Sequence, residues 1–342
     1  MYKTKLSCWQ GLPPPQYVYA NLRFKGVALE PPNFEPGSWC GAGKCVLDIE
    51  NEEFILTSRP RKVEGDVRGF AANIYKSKDG VKYDLVSSLL AEEVAEKSKI
   101  KIHSIEGTQL LKDPLTGQWY FYLSCDTGPE FIWGGIFWET MLFAADDLKG
   151  PWEYQDLVIR HGLGQAYDAV QSRDSSIDIV DGKWWMLYRA HDREWRIRMA
   201  LATSADGINW TKHGPFLVDG AEVFKFGMSG TTFAGTFGPT FMGLCSRTGL
   251  DYRRRRETRE VDFCAFNIDR KDMNLETIFR GPWIPKSPYE LKQSPLHGSY
   301  SSMVYDPWKN RMLLYVEAIG LETKEVGLNT NIERQLVYES QL

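Results

Sequence analysis

A unit of two short strands joined by a tight turn recurs along this chain, and that recurrence limits what the chain can fold into more than any other feature. In residues 173–189, RDSSIDIVDGKWWMLYR, an acid opens a segment carrying Ile177 and Ile179. Asp181-Gly182 supplies the hairpin signal and Trp184 to Tyr188 return as an aromatic strand. The same pattern occupies AGKCVLDIENEEFILTSR (42–59), EGTQLLKDPLTGQWYFYLS (106–124) and HGSYSSMVYDPWKNRMLLYVE (297–317). Further strands are expected after each hairpin: Phe70 to Lys76, Thr140 to Ala145, Arg198 to Ala202, and a last strand near the C-terminus. A fainter unit has outer strands at Cys264 to Asp269 and Leu275 to Phe279, with its inner pair somewhere in 218–247.

Five four-stranded units that cannot bury their own faces are expected to pack radially, which predicts an all-β fold, a five-bladed β-propeller over residues 39–342. Two β-sandwich domains, the alternative, would lack the shared spacing. Only Leu89 to Lys97 reads as a helix, which argues against an α/β chain. Residues 1–38 contain Pro13-Pro14-Pro15 and Pro31-Pro32 and read as an irregular lead-in that packs on the propeller.

Composition narrows the function classes. The 342 residues include 41 Lys and Arg against 45 Asp and Glu, a formal net charge of −4, so no basic field attracts nucleic acid. The run Arg253 to Arg256 is followed by Glu257 and Glu260 and reads as a solvated loop of mixed charge. Cys8, Cys40, Cys45, Cys125, Cys245 and Cys264 form no CxxC pair, which points to buried thiols in a reducing compartment. An apolar leader core and a membrane-length apolar run are both missing from the sequence, so a cytoplasmic protein with no membrane partner is expected. The 12 Trp and 16 Tyr suit strand packing, and some of the rings, Trp39 among them, are candidates to stack on sugar.

In a propeller the first strand of each blade lines the central channel, so residues at the start of those strands converge. Glu106 and Asp174 hold that position in the second and third units. Paired carboxylates a few ångströms apart are what glycosidic cleavage needs, one protonated and one ionised. Burial near Trp119 and Trp185 is expected to raise the Glu106 carboxyl toward neutrality.

These segments resemble the five-bladed propeller glycosidases of the arabinanase, xylosidase and invertase kinds. Ile105-Glu106-Gly107 is similar to the Glu-Gly-Pro segment bearing the general acid, and Arg173-Asp174 to the Arg-Asp-Pro segment bearing a transition-state stabiliser. Asp147 to Trp152 and Ser204 to Gly207 resemble outer-strand signatures, and His297-Gly298-Ser299 resembles a last-blade His-Gly-Ser near the channel axis. The resemblance spans 40–317 and implies a glycosidase acting on a small carbohydrate, without a cofactor. It also implies a base or nucleophile Asp at the start of the first blade, where this chain has Gly43-Lys44. Asp66 and Asp219 are the candidates to replace it.

Second strands end at Arg59, Arg189 and Arg247 in the first, third and fourth units, with Glu317 equivalent in the fifth, and Arg61, Arg68 and Arg173 lie close in sequence to the same region. Guanidinium groups facing one channel would hold a carboxylate or phosphate by bidentate contacts. That arrangement is similar to propeller mannoside phosphorylases, which use phosphate as nucleophile. Three readings therefore stand: a hydrolase, a phosphorylase, and a carbohydrate-binding propeller without catalysis. The dispersed histidines at 103, 161, 191, 213 and 297 offer no metal-ligand spacing, and His297 joins the substrate-binding candidates through the resemblance.

Overall fold

The computed structural model describes residues 13–41, 43–65, 68–132, 135–224, 226–235, 238–248, 259–283, 287–289, 300–327 and 329–342. Two short helices, α1 (Pro15–Asn21) and α2 (Ala91–Ser98), accompany the strands. Residues 13–38 hold more regular structure than the proline runs suggested. Pro15 starts α1, where its missing N–H costs nothing, and strand β1 (Arg23–Leu29) follows.

The first meander contains β2 (Cys45–Asp48), β3 (Glu53–Ser58), β4 (Ala71–Ser77) and β5 (Asp84–Leu90), and α2 lies directly after it. The second has β6 (Ser104–Lys112), β7 (Trp119–Asp126), β8 (Trp138–Ala145) and β9 (Glu153–Ile159). The third has β10 (Gln171–Val180), β11 (Lys183–His191), β12 (Ile197–Ser204) and β13 (Trp210–Pro215). A two-residue strand β14 (Leu217–Val218) precedes β15 (Phe226–Gly235), β16 (Gly238–Thr248), β17 (Arg259–Asp269) and β18 (Asn274–Pro282). The last comprises β19 (Ser301–Asp306), β20 (Arg311–Ile319) and β21 (Glu333–Gln341), and β1 supplies its fourth strand by pairing antiparallel with β21. All the expected hairpins form, and the inner pair of the faint unit is β15 and β16.

These strands make four sheets, because one parallel contact between Gln171 and Trp138 joins the second and third meanders into eight strands. The first strands form a closed series: β2 touches β6, β6 touches β10, β10 touches β15, β15 touches β19, and β19 returns to β2. The core is divided in the same way. Apolar clusters fill the gaps between successive meanders, from Ile55, Ile74, Phe121 and Met141 in the first gap to Phe54, Leu313 and Val337 in the last. Trp119, Trp152, Trp184 and Trp185 belong to these clusters, so these four indoles serve packing.

Local chemistry repeats too. The turns Ser77-Lys78-Asp79-Gly80 and Ser204-Ala205-Asp206-Gly207 use the same bonds: the serine hydroxyl accepts from the glycine N–H, at 2.9 Å in both, and the aspartate accepts from two later N–H groups. Each glycine has a positive φ that a side chain would strain. Cys40, Cys45, Cys125, Cys245 and Cys264 are all free and buried, as expected, and Cys8 lies outside the described residues. No described helix is long and apolar enough to cross a membrane.

Candidate active site

Glu106 and Asp174 sit in matching β-bulges. Along β6 and β7, Ile105 pairs with Cys125 and Thr108 with Leu123, so Glu106 and Gly107 face the single residue Ser124. Along β10 and β11, Arg173 pairs with Arg189 and Ser176 with Leu187, so Asp174 and Ser175 face Tyr188. A bulge turns one side chain out of the strand's alternation, and here it does so at the same place in neighbouring inner strands. Asp174 takes the left-handed conformation, φ 55°, which Glu106 does not.

The two bulges are bonded to each other. Gly107 N donates to Asp174 Oδ1 at 3.2 Å, and Asp174 N donates to Ser124 Oγ at 2.9 Å. A Cβ on Gly107 would lie 2.8 Å from the Asp174 Cα, so only glycine permits this approach.

Arginines surround both carboxylates. Arg59 follows β3 and places Nη2 2.8 Å from Glu106 Oε2, while Arg68 pairs with Oε1. Arg68 is set by the next residue: Gly69 O accepts from Ile105 N and Gly69 N donates to Ser104 Oγ, both at 2.9 Å. Arg189 pairs with Asp174 Oδ2, and Arg173 Nε lies 3.7 Å from the same oxygen. Tyr300 donates to Asp174 Oδ2 at 3.4 Å.

The electrostatics overturn one expectation. Burial alone would raise the Glu106 carboxyl, but Arg59, Arg68, Arg173 and Arg61 outweigh it and hold the group far below the usual carboxylate range. Glu106 is thus an ionised acid in this site, not one poised to give a proton. Arg59 and Arg189 lose stability as cations through burial, yet Glu106 beside the first and Asp174 beside the second raise both on balance.

Trp39 is also corrected. It is 1% exposed, Arg61 lies 3.7 Å above its ring, and its Nε1 donates to Asn331 O at 3.1 Å. No face is open to a sugar; the indole instead supports Arg61 by cation–π contact. Asp219 lies elsewhere, exposed at the outer edge of its sheet, where it accepts from Thr277 N and Thr277 Oγ1, both at 2.8 Å. It caps an outer strand, and the inner strand of that unit begins seven residues later, at Phe226. Asp66 and His297 fall outside the described residues.

Lys44, where the resemblance implied an acid, enters the ring of first strands. Its Nζ donates to Ser229 Oγ at 2.6 Å and to Ser301 O at 2.8 Å, joining the first, fourth and fifth meanders. Burial lowers its pKa to about 7, and desolvation raises the half-buried Asp178 nearby to about 7.

Sequence reasoning missed three residues of the group. Trp138 opens β8 and carries Arg173 at 4.6 Å over its ring. Tyr300 immediately precedes β19, and Glu333 opens β21, fully buried. Burial and the adjacent Glu317 raise the Glu333 carboxyl well above its ordinary value. Aligning the third strands as well as the second would have exposed a signal, since Trp138 and Glu333 both begin third strands. Among the described residues no His, Cys, Asp and Glu cluster has the makings of a metal site.

Neither a protein-family model nor a curated protein sequence matches the chain. Solved structures do match its fold. A glycoside hydrolase aligns with TM-score 0.66 and 12% identity, over 96% of this chain and 95% of its own. Zg3597, a family 117 glycoside hydrolase from the marine bacterium Zobellia galactanivorans, aligns with TM-score 0.60 and 15% identity, over 93% and 90%. An N-acetylgalactosamine deacetylase from F. plautii, in complex with blood group B trisaccharide, aligns with TM-score 0.57 and 12% identity, over 94% and 95%. The chain shares the fold of propeller-type glycoside hydrolases, and the deacetylase carries other chemistry on the same architecture.

Proposed function

We propose that this chain is a glycoside hydrolase built as a five-bladed β-propeller, its five meanders being the blades and Glu106 and Asp174 its working carboxylates. The observation that carries the reading is the pair of matching bulges, which brings two acids from adjacent first strands to one place. Glycosidic cleavage passes through a positively charged, oxocarbenium-like transition state, and a fixed carboxylate stabilises that charge without being protonated. The sequence-derived roles are exchanged in part. Glu106, kept ionised by Arg59 and Arg68, supplies the fixed negative charge. Asp174, whose side chain is 10% exposed against 5% for Glu106, takes the other role, meeting the substrate and passing a proton to the leaving oxygen.

The test is turnover of a panel of aryl glycosides by the wild type and by Asp174→Asn. The variant is expected to lose about a hundredfold to ten-thousandfold in kcat/KM, with its thermal melt retained. Unchanged turnover in a folded Asp174→Asn protein overturns the reading.

A further inference from the structure

Arg173 is a cation short of counter-charge. Its guanidinium stacks on Trp138, and Arg68 lies 5.9 Å from the same ring, so two like charges share one indole. Glu106 is already taken by Arg59 and Arg68, and Asp174 by Arg189. What remains for Arg173 is the 3.7 Å contact of its Nε with Asp174, too long for a hydrogen bond. That Nε has no hydrogen-bond partner. Burial and the neighbouring Arg189 lower its pKa, as expected of a cation short of counter-charge. The wider group leans the same way: Arg59, Arg61, Arg68, Arg173 and Arg189 stand against Glu106, Asp174, Asp126, Glu317 and Glu333, and Glu333 is pushed toward its neutral form.

We infer that the substrate carries a carboxylate on its sugar ring, a uronic acid, which the guanidinium of Arg173 binds with Arg189 beside it. The inference rests on the glycosidase reading and names the substrate class of that site. A guanidinium whose face is fixed on an indole presents its N–H fork edge-on, and a planar carboxylate accepts two parallel hydrogen bonds from such a fork. Neutral sugars offer hydroxyls that gain far less from a desolvated cation. A dianionic phosphate would set two charges beside Asp174 and Glu106, so the single charge of a carboxylate is the better match.

Calorimetric titration with D-galacturonate, D-glucuronate, D-galactose, D-glucose and inorganic phosphate tests this. One of the uronates is expected to bind at least tenfold more tightly than the neutral sugar of the same configuration. Its affinity is expected to weaken with added salt and to fall on the order of tenfold to hundredfold in Arg173→Gln. The salt dependence is read on the wild type, so the result stands even if the variant does not fold. Equal binding of uronate and neutral sugar, preferential binding of phosphate, or an unchanged affinity in folded Arg173→Gln overturns the inference. Uronate binding that depends on Arg173, with no glycoside turned over, supports the inference and rejects the hydrolase reading instead.

Discussion

Replacing Glu106 by glutamine removes one charge and leaves Arg59 and Arg68 buried without their shared partner. Losing one member of a buried ion pair costs about 3–5 kcal/mol, so Glu106→Gln is expected to lower the urea midpoint markedly before its effect on activity is considered. Asp178 and Lys44 make a different prediction. Asp178 has a folded pKa of about 7 against roughly 3.9 when unfolded, so between those values the folded state holds more protons and stability falls as pH rises. Lys44 has a folded pKa of about 7 against roughly 10.4, so above neutrality the unfolded state holds more protons and stability recovers. Urea midpoints measured at pH about 5 and about 7 should decline in the wild type and decline less in Asp178→Asn. At this scale repetition made the placement of Glu106 and Asp174 at strand starts, and of Arg59 and Arg189 at second-strand ends, legible in the sequence, while Arg68 and Arg173 were marked only by lying close by in sequence. Trp39 and Glu106 were misjudged in character for a shared reason: what covers a ring or charges a carboxyl comes from Arg59, Arg61 and Arg68, whose directions no spacing rule supplies.

Single strands and turns carry the next set of consequences. Gly69 docks the loop of the first meander on β6, and a Cβ there would collide with the Ile105 carbonyl oxygen. Gly69→Ala is expected to cost about 1–3 kcal/mol and to move Arg68 away from Glu106, measured as a lower melting temperature together with reduced turnover. Lys99 closes α2 in the left-handed conformation, φ 61°, where glycine carries no steric penalty. Lys99→Gly should therefore raise the melting temperature slightly or leave it unchanged, whereas glycine inside a helix lowers it. The hairpins of the first, second, third and last meanders were legible because aromatic and β-branched residues alternate around clear turns. The inner pair of the fourth was not, since Gly230 of β15 faces Gly243 of β16 and small residues replace the alternation. Strand β1 was hidden for another reason: its partner β21 is distant in sequence, and the nearby prolines signalled a loop.

The whole molecule is a ring whose last sheet is made from both ends of the described chain. Removing residues 1–29 would strip β1 from β21 and expose the edge of β21 over Gln335–Glu339. Such an edge recruits other strands, so the truncated protein is expected to elute as concentration-dependent oligomers in size-exclusion chromatography coupled to light scattering. The ring as a whole was legible from the repeat, but its point of closure was not, because no local pattern says which strand completes which sheet. The closure also sets an order of events during synthesis. Lys25 and Glu339, which face each other across this seam, are separated by 314 residues. At about 5–20 residues per second, β1 waits roughly a quarter of a minute to a minute after its own synthesis for its partner. Throughout that interval the nascent chain must be kept from pairing its early edge with a neighbour on the same messenger.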